Sequence, residues 1–157
     1  IVVIANDILQ FKIDQALSDI FRFLFNSSIG ILGLFDVSTH MGLVKHHEDF
    51  GQTLAVWGFS SGPYLVMPFL GPTTLRDGAG FGVDSLLNPI VNVQDTAASS
   101  GLMALQYVDF TANYESARNL IEDAALDPYE FTKNAYLERR ENLINDREFS
   151  DYDFQIE

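Results

Sequence analysis

The chain predicts an all-α domain, on three observations. Apolar residues recur at three- and four-residue spacing through most of its length, which is the period that lines one face of a helix. Helix-start signals stand at Asp49, at Thr74-Leu-Arg-Asp77 and at Asp127-Pro-Tyr-Glu130. Only Tyr64–Met67 reads as strand. At 157 residues the length fits one domain, taken as residues 1–144, with an acidic, loose tail over 145–157.

Residues 2–10 read as the end of a helix. Asp14 to Asn26 forms the next, with Ile13, Leu17, Ile20, Phe21, Leu24 and Phe25 repeating at helical spacing and Phe23 off that stripe, so it is apolar over more than one face. Asn26-Ser27-Ser28 offers a cap or break before Ile29-Gly-Ile-Leu-Gly-Leu-Phe35. Gly30 and Gly33 would each weaken a helix in water by about 1 kcal/mol relative to Ala. They suit places where backbones approach closely, as in helix pairs within lipid. Asp36 to Gly42 reads as a helix end with Gly42 just past it.

Asp49 can cap a short helix that ends at Trp57-Gly58. An extended Gly62-Pro-Tyr segment and a Pro-flanked turn lead from there to a helix that runs from Thr74 to about Leu87, where Asn88-Pro89 interrupts it. Gly78 and Gly82 form a small-xxx-small pair on that helix, fitted to tight helix contact. Leu102 to Leu126 reads as a long helix with Leu105, Val108, Ala112, Leu120, Ile121 and Ala124 on its apolar side. Asp127, with Pro128 next and Glu130 three residues on, starts the last helix, which runs to about Ile144.

The composition is unusual. Hydrophobic residues make up 47% of the chain, with 13 Phe, yet the formal net charge is −13. Residues 1–110 hold ten acids and four bases, residues 111–157 twelve and five, which argues against nucleic acid as a partner, since phosphate backbones want basic clusters. The chain has no cysteine, which removes disulfides and thiolate metal sites from consideration. It begins mid-pattern at Ile1, without a charged leading region or cleavage site, and reads as a truncation.

The stretch Phe50–Gly80 carries no charge before Arg76. Loops normally run over the surface because their backbone groups need water, so a loop-rich segment this apolar is built to sit against something greasy. The uncharged window Phe23–Phe35, as a helix at about 1.5 Å per residue, would reach roughly 20 Å, short of a hydrocarbon core of about 30 Å. It is too short to span a bilayer upright; it could lie in an interface, fold as a re-entrant hairpin or bury as a core helix.

Three motifs invite catalytic or binding readings. Gly58-Phe-Ser60-Ser-Gly62 matches G-x-S-x-G, the nucleophile elbow of lipases. Pro63, Pro68 and Pro72 deny the helix that must follow, and all three histidines precede Ser60, against the Ser, acid, His order of that fold. The chain also lacks the strand and helix alternation the fold requires. Ser60 is better read as part of a flexible turn. His40, His46, His47, Glu48 and Asp49 are metal-type ligands that follow no ligand-spacing template and read as a solvated patch. Gly78-Ala-Gly80-Phe-Gly82 follows no parallel strand and reads as close packing rather than a dinucleotide loop. Arg76-Asp77 fits a cap and ion pair at a helix start, or a functional polar pair in an apolar setting.

Several ordered blocks carry a family resemblance. Phe23-Leu-Phe-Asn-Ser-Ser-Ile-Gly-Ile-Leu-Gly-Leu-Phe-Asp-Val37, Glu48-Asp-Phe-Gly-Gln-Thr-Leu54, Trp57-Gly58, Gly62-Pro-Tyr-Leu-Val-Met-Pro68, Leu70-Gly-Pro-Thr-Thr-Leu-Arg-Asp77, Asp127-Pro-Tyr129 and Ala135-Tyr136 together resemble the MlaA (VacJ) outer-membrane lipoproteins of Gram-negative bacteria. The likeness spans about Asn6 to Arg140. It departs in lacking the signal peptide, the lipid-bearing Cys and the first family helices, in Phe11 where a small residue is expected, and in Ser60-Ser61.

The resemblance implies a ring-like, all-helical protein in the inner leaflet of the outer membrane. Such proteins take phospholipid that has strayed into the outer leaflet and pass it through an amphipathic channel to a periplasmic lipid carrier, in association with a trimeric porin. They use no cofactor and do no covalent chemistry. On this reading Phe21, Phe23, Leu24, Phe25, Ile31, Leu34 and Phe35 form a membrane belt. Gly62, Pro63, Tyr64, Pro68, Gly71, Pro72, Arg76 and Asp77 shape the channel and its gate. The alternatives are a porin-associated scaffold that moves no lipid and a lipid hydrolase that uses Ser60.

Overall fold

The computed structural model describes residues 1–31, 33–68, 71–90, 99–105, 108, 111 and 127–147. Its elements are α1 (Val2–Leu9), α2 (Ile13–Ser28), α3 (Val37–His40), α4 (Phe50–Val56), β1 (Tyr64–Met67), β2 (Gly71–Thr74), α5 (Leu75–Leu87) and α6 (Pro128–Ile144). Residues 99–105, 108 and 111 are also helical, and the rest of the helix expected from Leu102 to Leu126 lies outside the described residues, as does the tail beyond Arg147. α1 packs on α2, α4 on α5, and α6 against α4 and β2.

Local chemistry explains where α3, α4, α5 and α6 start. Asp36 accepts from the Thr39 amide, Asp49 from Gln52, Thr74 from Asp77, and Asp127 from both Tyr129 and Glu130 with Pro128 in the first turn. Each such cap satisfies an amide that the helix leaves unpaired and is worth about 1 kcal/mol. Gly42 and Gly58, with φ of +80° and +93°, follow the C-caps of α3 and α4. α1 ends in the same pattern with a less suited residue. Phe11 N bonds Ile8 O at 3.1 Å and Lys12 N bonds Asp7 O at 2.9 Å, a Schellman motif in which Phe11 takes φ +61° where glycine is usual.

Three expectations are corrected. α2 continues through Ser28, whose hydroxyl donates back to Leu24 O, and the chain turns instead at Gly30, where an added Cβ would lie 2.2 Å from Phe35 O. Gly71–Thr74 is a second strand, paired antiparallel with β1 so that Tyr64 faces Thr74 and Val66 faces Pro72. Pro72 disguises it in the sequence, but in a two-stranded ribbon every residue is at an edge and a missing N–H is tolerated. The close helix contact is not made by Gly78 and Gly82: a Cβ at Gly82 would meet nothing within 4 Å, whereas one at Gly80 would stand 2.4 Å from Gly51 N. α4 and α5 cross backbone to backbone at Gly51 and Gly80.

The distribution of polarity is inverted. Among the described residues Ala16 is the one buried apolar side chain, while Asn6, Asp7, Gln10, Asp19, Arg22, Glu48, Gln52, Thr53 and Asp77 are buried. Phe11, Leu34, Leu86 and Val66 are among many large apolar side chains left outside. The apolar stripe of α2 thus faces outward, and the polar positions 15, 19, 22 and 26 between its members face in. No helix among the described residues is long and apolar enough to cross a membrane.

Candidate functional site

The polar interior is built from short helical repeats. Asn6 of α1 and Gln10, the C-cap of that helix, lie one turn apart, and Thr53 of α4 sits between them. Thr53 donates to Asn6 Oδ1 at 2.8 Å, and Gln10 Nε2 reaches Thr53 Oγ1 at 3.2 Å and Glu48 Oε2 at 2.7 Å. At one end Asn6 donates to Asp84 of α5 at 2.9 Å, and Asp84 also accepts from the Phe50 amide at 2.8 Å. At the other end Lys12 binds Glu48 at 2.9 Å and reaches Asp146 just past α6. The chain beyond residue 144 is therefore tied back to the α1–α2 corner at Asp146.

A second cluster joins the start of α4, the start of α5 and the middle of α6. Arg140 donates to both oxygens of Asp49 and to Asp77 Oδ1 at 2.9 Å. Asp77 also takes the Tyr136 hydroxyl at 2.7 Å and Arg76 Nε at 3.0 Å. Tyr136 and Arg140 are one turn apart on α6, so a single helix face supplies both donors. Burial raises the Asp49 and Asp77 carboxyls, but Arg140 together with the Gln52 amide at Asp49, and with Tyr136, Thr74 and Arg76 at Asp77, holds both below the usual carboxylate value. Burial and the Asp77 hydrogen bond push Tyr136 up to about 12.

A third cluster closes the tip of α2. Arg22 binds Asp36 Oδ2 at 2.8 Å, the Thr39 hydroxyl and Leu43 O, and Asn26 binds Asp36 and Ser38. His46 Nδ1 lies 3.0 Å from Asp19 Oδ2. Beside it opens a cavity of about 130 Å³ lined by Gln15, His46, His47, Glu48, Leu143 and Asp146.

Buried polar groups in a chain this apolar cost free energy unless each is bonded, and an apolar exterior has no use in water. An environment that is lipid outside and polar inside removes both penalties. The model for the MlaA lipoprotein family matches residues 1–143. The chain belongs to that family. It is 30% identical, over 91% of its length, to the Shigella flexneri intermembrane phospholipid transport system lipoprotein MlaA, and 29% identical over 91% to the Escherichia coli (strain K12) protein of the same name. A Rickettsia bellii protein is 33% identical over 87% of the chain. The chain spans just over half of each of these relatives, 57% of the first two and 54% of the third. A solved structure described as the structural basis for maintenance of bacterial outer membrane lipid asymmetry superposes with a TM-score of 0.74 at 26% identity, over 92% of this chain and 73% of that one.

In this MlaA-family chain the residues singled out from sequence fall into two groups. Phe21, Phe23, Leu24, Ile31, Leu34 and Phe35 are exposed, and Phe25 is half-buried against Phe21. Gly62, Pro63 and Pro68 are exposed along the hairpin, with Gly62 at φ +68° and Pro63 O accepting from the Leu75 amide at 3.1 Å. Tyr64 packs edge-on to Tyr129 and Tyr136, and Gly71 and Pro72 form β2. Arg76 and Asp77 meet at 3.0 Å, so the Pro-rich segment, α5 and α6 converge on Asp77.

The other motifs are accounted for by position. Ser60 is exposed in an irregular stretch that leads into β1, not into a helix. His40 Nδ1 is 3.2 Å from Asp36 O, and Glu48 and Asp49 are held by Lys12 and Arg140. Among the described residues no three such side chains are placed to hold a metal. Sequence reasoning missed Asn6, Asp7, Gln10, Thr53, Asp84 and Arg140. The signal that could have found Asn6 and Gln10 is polar residues at helical spacing inside an apolar run, as also at 15, 19, 22 and 26; Arg140 carries no such signal.

Proposed function

We propose that this chain is the phospholipid-removing component of an outer-membrane lipid-asymmetry system. It takes phospholipid from the outer leaflet and passes it along a polar path to a periplasmic carrier. The observation that carries this reading is the inverted polarity, with buried Asn6, Gln10, Arg22, Thr53 and Asp77 enclosed by exposed Phe, Leu and Ile side chains. A headgroup needs a polar passage while its acyl chains stay in lipid, and a set of helices lying in one leaflet supplies both without crossing the bilayer.

On this account the exposed Phe21, Phe23, Leu24, Ile31, Leu34 and Phe35, with Phe25, seat the protein in the inner leaflet in a ring-like arrangement beside a trimeric porin. The segment from Gly62 to Pro72 with Arg76 and Asp77 shapes the passage and its gate. The names borne by the Shigella and Escherichia relatives support the transport reading. Expression in a strain without its native counterpart tests it. The intact chain, in its full-length context, restores the detergent barrier of the outer membrane, and Arg76→Ala and Asp77→Ala variants that accumulate normally restore it poorly. Full restoration by both variants would remove them from the passage.

A further inference from the structure

Asp7 of α1 is fully buried, and neither carboxylate oxygen has a hydrogen-bond partner outside the acid beside it. That acid is Asp19 of α2, within hydrogen-bonding reach, and Glu48 from the connection before α4 adds a third negative group nearby. The groups that could balance it are already engaged: the Lys12 ammonium by Glu48 and Asp146, and the His46 ring by Asp19. α4 presents only uncharged Gln52 and Thr53 to this region, Asp84 of α5 is taken by Asn6 and the Phe50 amide, and Arg22 is turned to Asp36.

An isolated carboxylate in a dry interior is so costly that the group binds a proton or a cation instead. A cation needs a set of ligands, and among the described residues no three His, Asp or Glu side chains are placed to hold one. Two carboxyls within hydrogen-bonding reach are stable together when one proton lies between them. We propose that Asp7 and Asp19 form a proton-binding carboxyl pair across the α1–α2 contact, and that loss of the proton loosens this contact. Burial first, then Asp19 and Glu48, push Asp7 up to about 7 from 3.8, so the site exchanges its proton near neutral pH. A carboxyl raised in the folded state binds an extra proton there. Its contribution therefore favours folding at acid pH and is lost as pH rises from about 4 to about 7. The site is independent of what the passage carries.

Infrared spectroscopy of the chain in mild detergent tests this directly. The wild type shows a protonated-carboxyl band in mildly acidic buffer that titrates away near neutral pH, and Asp7→Asn lacks it. Asp19→Asn keeps the band but moves its midpoint to lower pH, which provides a readout if Asp7→Asn does not fold. Absence of the band in the wild type, its persistence in a folded Asp7→Asn, or an unmoved midpoint in Asp19→Asn would overturn the pair. Loss of the band on adding millimolar magnesium or sodium chloride at constant pH would overturn it in favour of a bound cation.

Discussion

Arg140 donates to both carboxylate oxygens of Asp49, a residue 91 positions earlier in the chain. The same guanidinium reaches Asp77, so one side chain of α6 holds the starts of α4 and α5 together. Removing it leaves Asp77, whose side chain is 6% exposed, as a buried charge with Arg76 as its remaining cation; Asp49, at 39% exposed, is partly rescued by water. Arg140→Met is expected to cost on the order of 3 kcal/mol, and Arg140→Lys to recover part of it, measured by chemical denaturation in detergent.

The Gly51–Gly80 crossing sets a second expectation. A methyl group at Gly80 would stand 2.4 Å from Gly51 N and 2.8 Å from its Cα, and both atoms are backbone that cannot rotate away. Gly80→Ala should destabilise by about 3 kcal/mol, at the upper end for overpacking. Gly82→Ala, with nothing within 4 Å, should be neutral or stabilising by up to about 1 kcal/mol. Thermal denaturation of the two variants side by side checks the contrast.

Phe11 pays for its left-handed backbone with no packing in return, since its side chain is 84% exposed. Phe11→Gly should stabilise the chain by about 1 kcal/mol. It should also weaken flotation with phospholipid vesicles if that ring contributes to seating in lipid. Opposite signs in the two assays would separate the cost to the fold from the use of the side chain.

Residues of the proposed membrane belt should behave in the converse way. Leu34, 78% exposed, touches little that folding needs. Leu34→Asp should change stability in detergent by no more than about 0.5 kcal/mol while reducing vesicle association several-fold in a flotation assay.

The pH dependence has an acid limb set by Arg140. Asp49 and Asp77 are held below the ordinary carboxylate value of 3.8, so their contribution is fully present above about pH 4 and is lost as pH falls through their folded values. Arg140→Met should flatten this limb in a melting-temperature profile. An unchanged acid limb would place the acid sensitivity elsewhere.

Much of the fold was legible because its start and stop signals are local. Asp49, Thr74, Asp127 and Gly42 act on amides and carbonyls within a turn of themselves, so their positions can be read without knowing what packs where. β2 was hidden because pairing with β1 is a relation between segments and Pro72 argues against a strand by itself. The direction of the α2 stripe was hidden for a deeper reason. Periodicity locates an apolar face but does not say whether that face meets a core or lipid, and here Phe21 and Leu24 point away from a polar interior. Arg140 gave no local hint at all, because its partners Asp49 and Asp77 are distant in sequence and each had a sufficient role as a cap or helix-start residue.

The proposed function requires phospholipid in the polar path, and lipid mass spectrometry of the protein purified in mild detergent detects it there. Phospholipid is expected to co-purify at about one per chain, and less in folded Arg76→Ala and Asp77→Ala variants. Reproducible absence of phospholipid from a folded preparation would contradict the proposed function and leave a scaffold that holds its envelope partners without moving lipid.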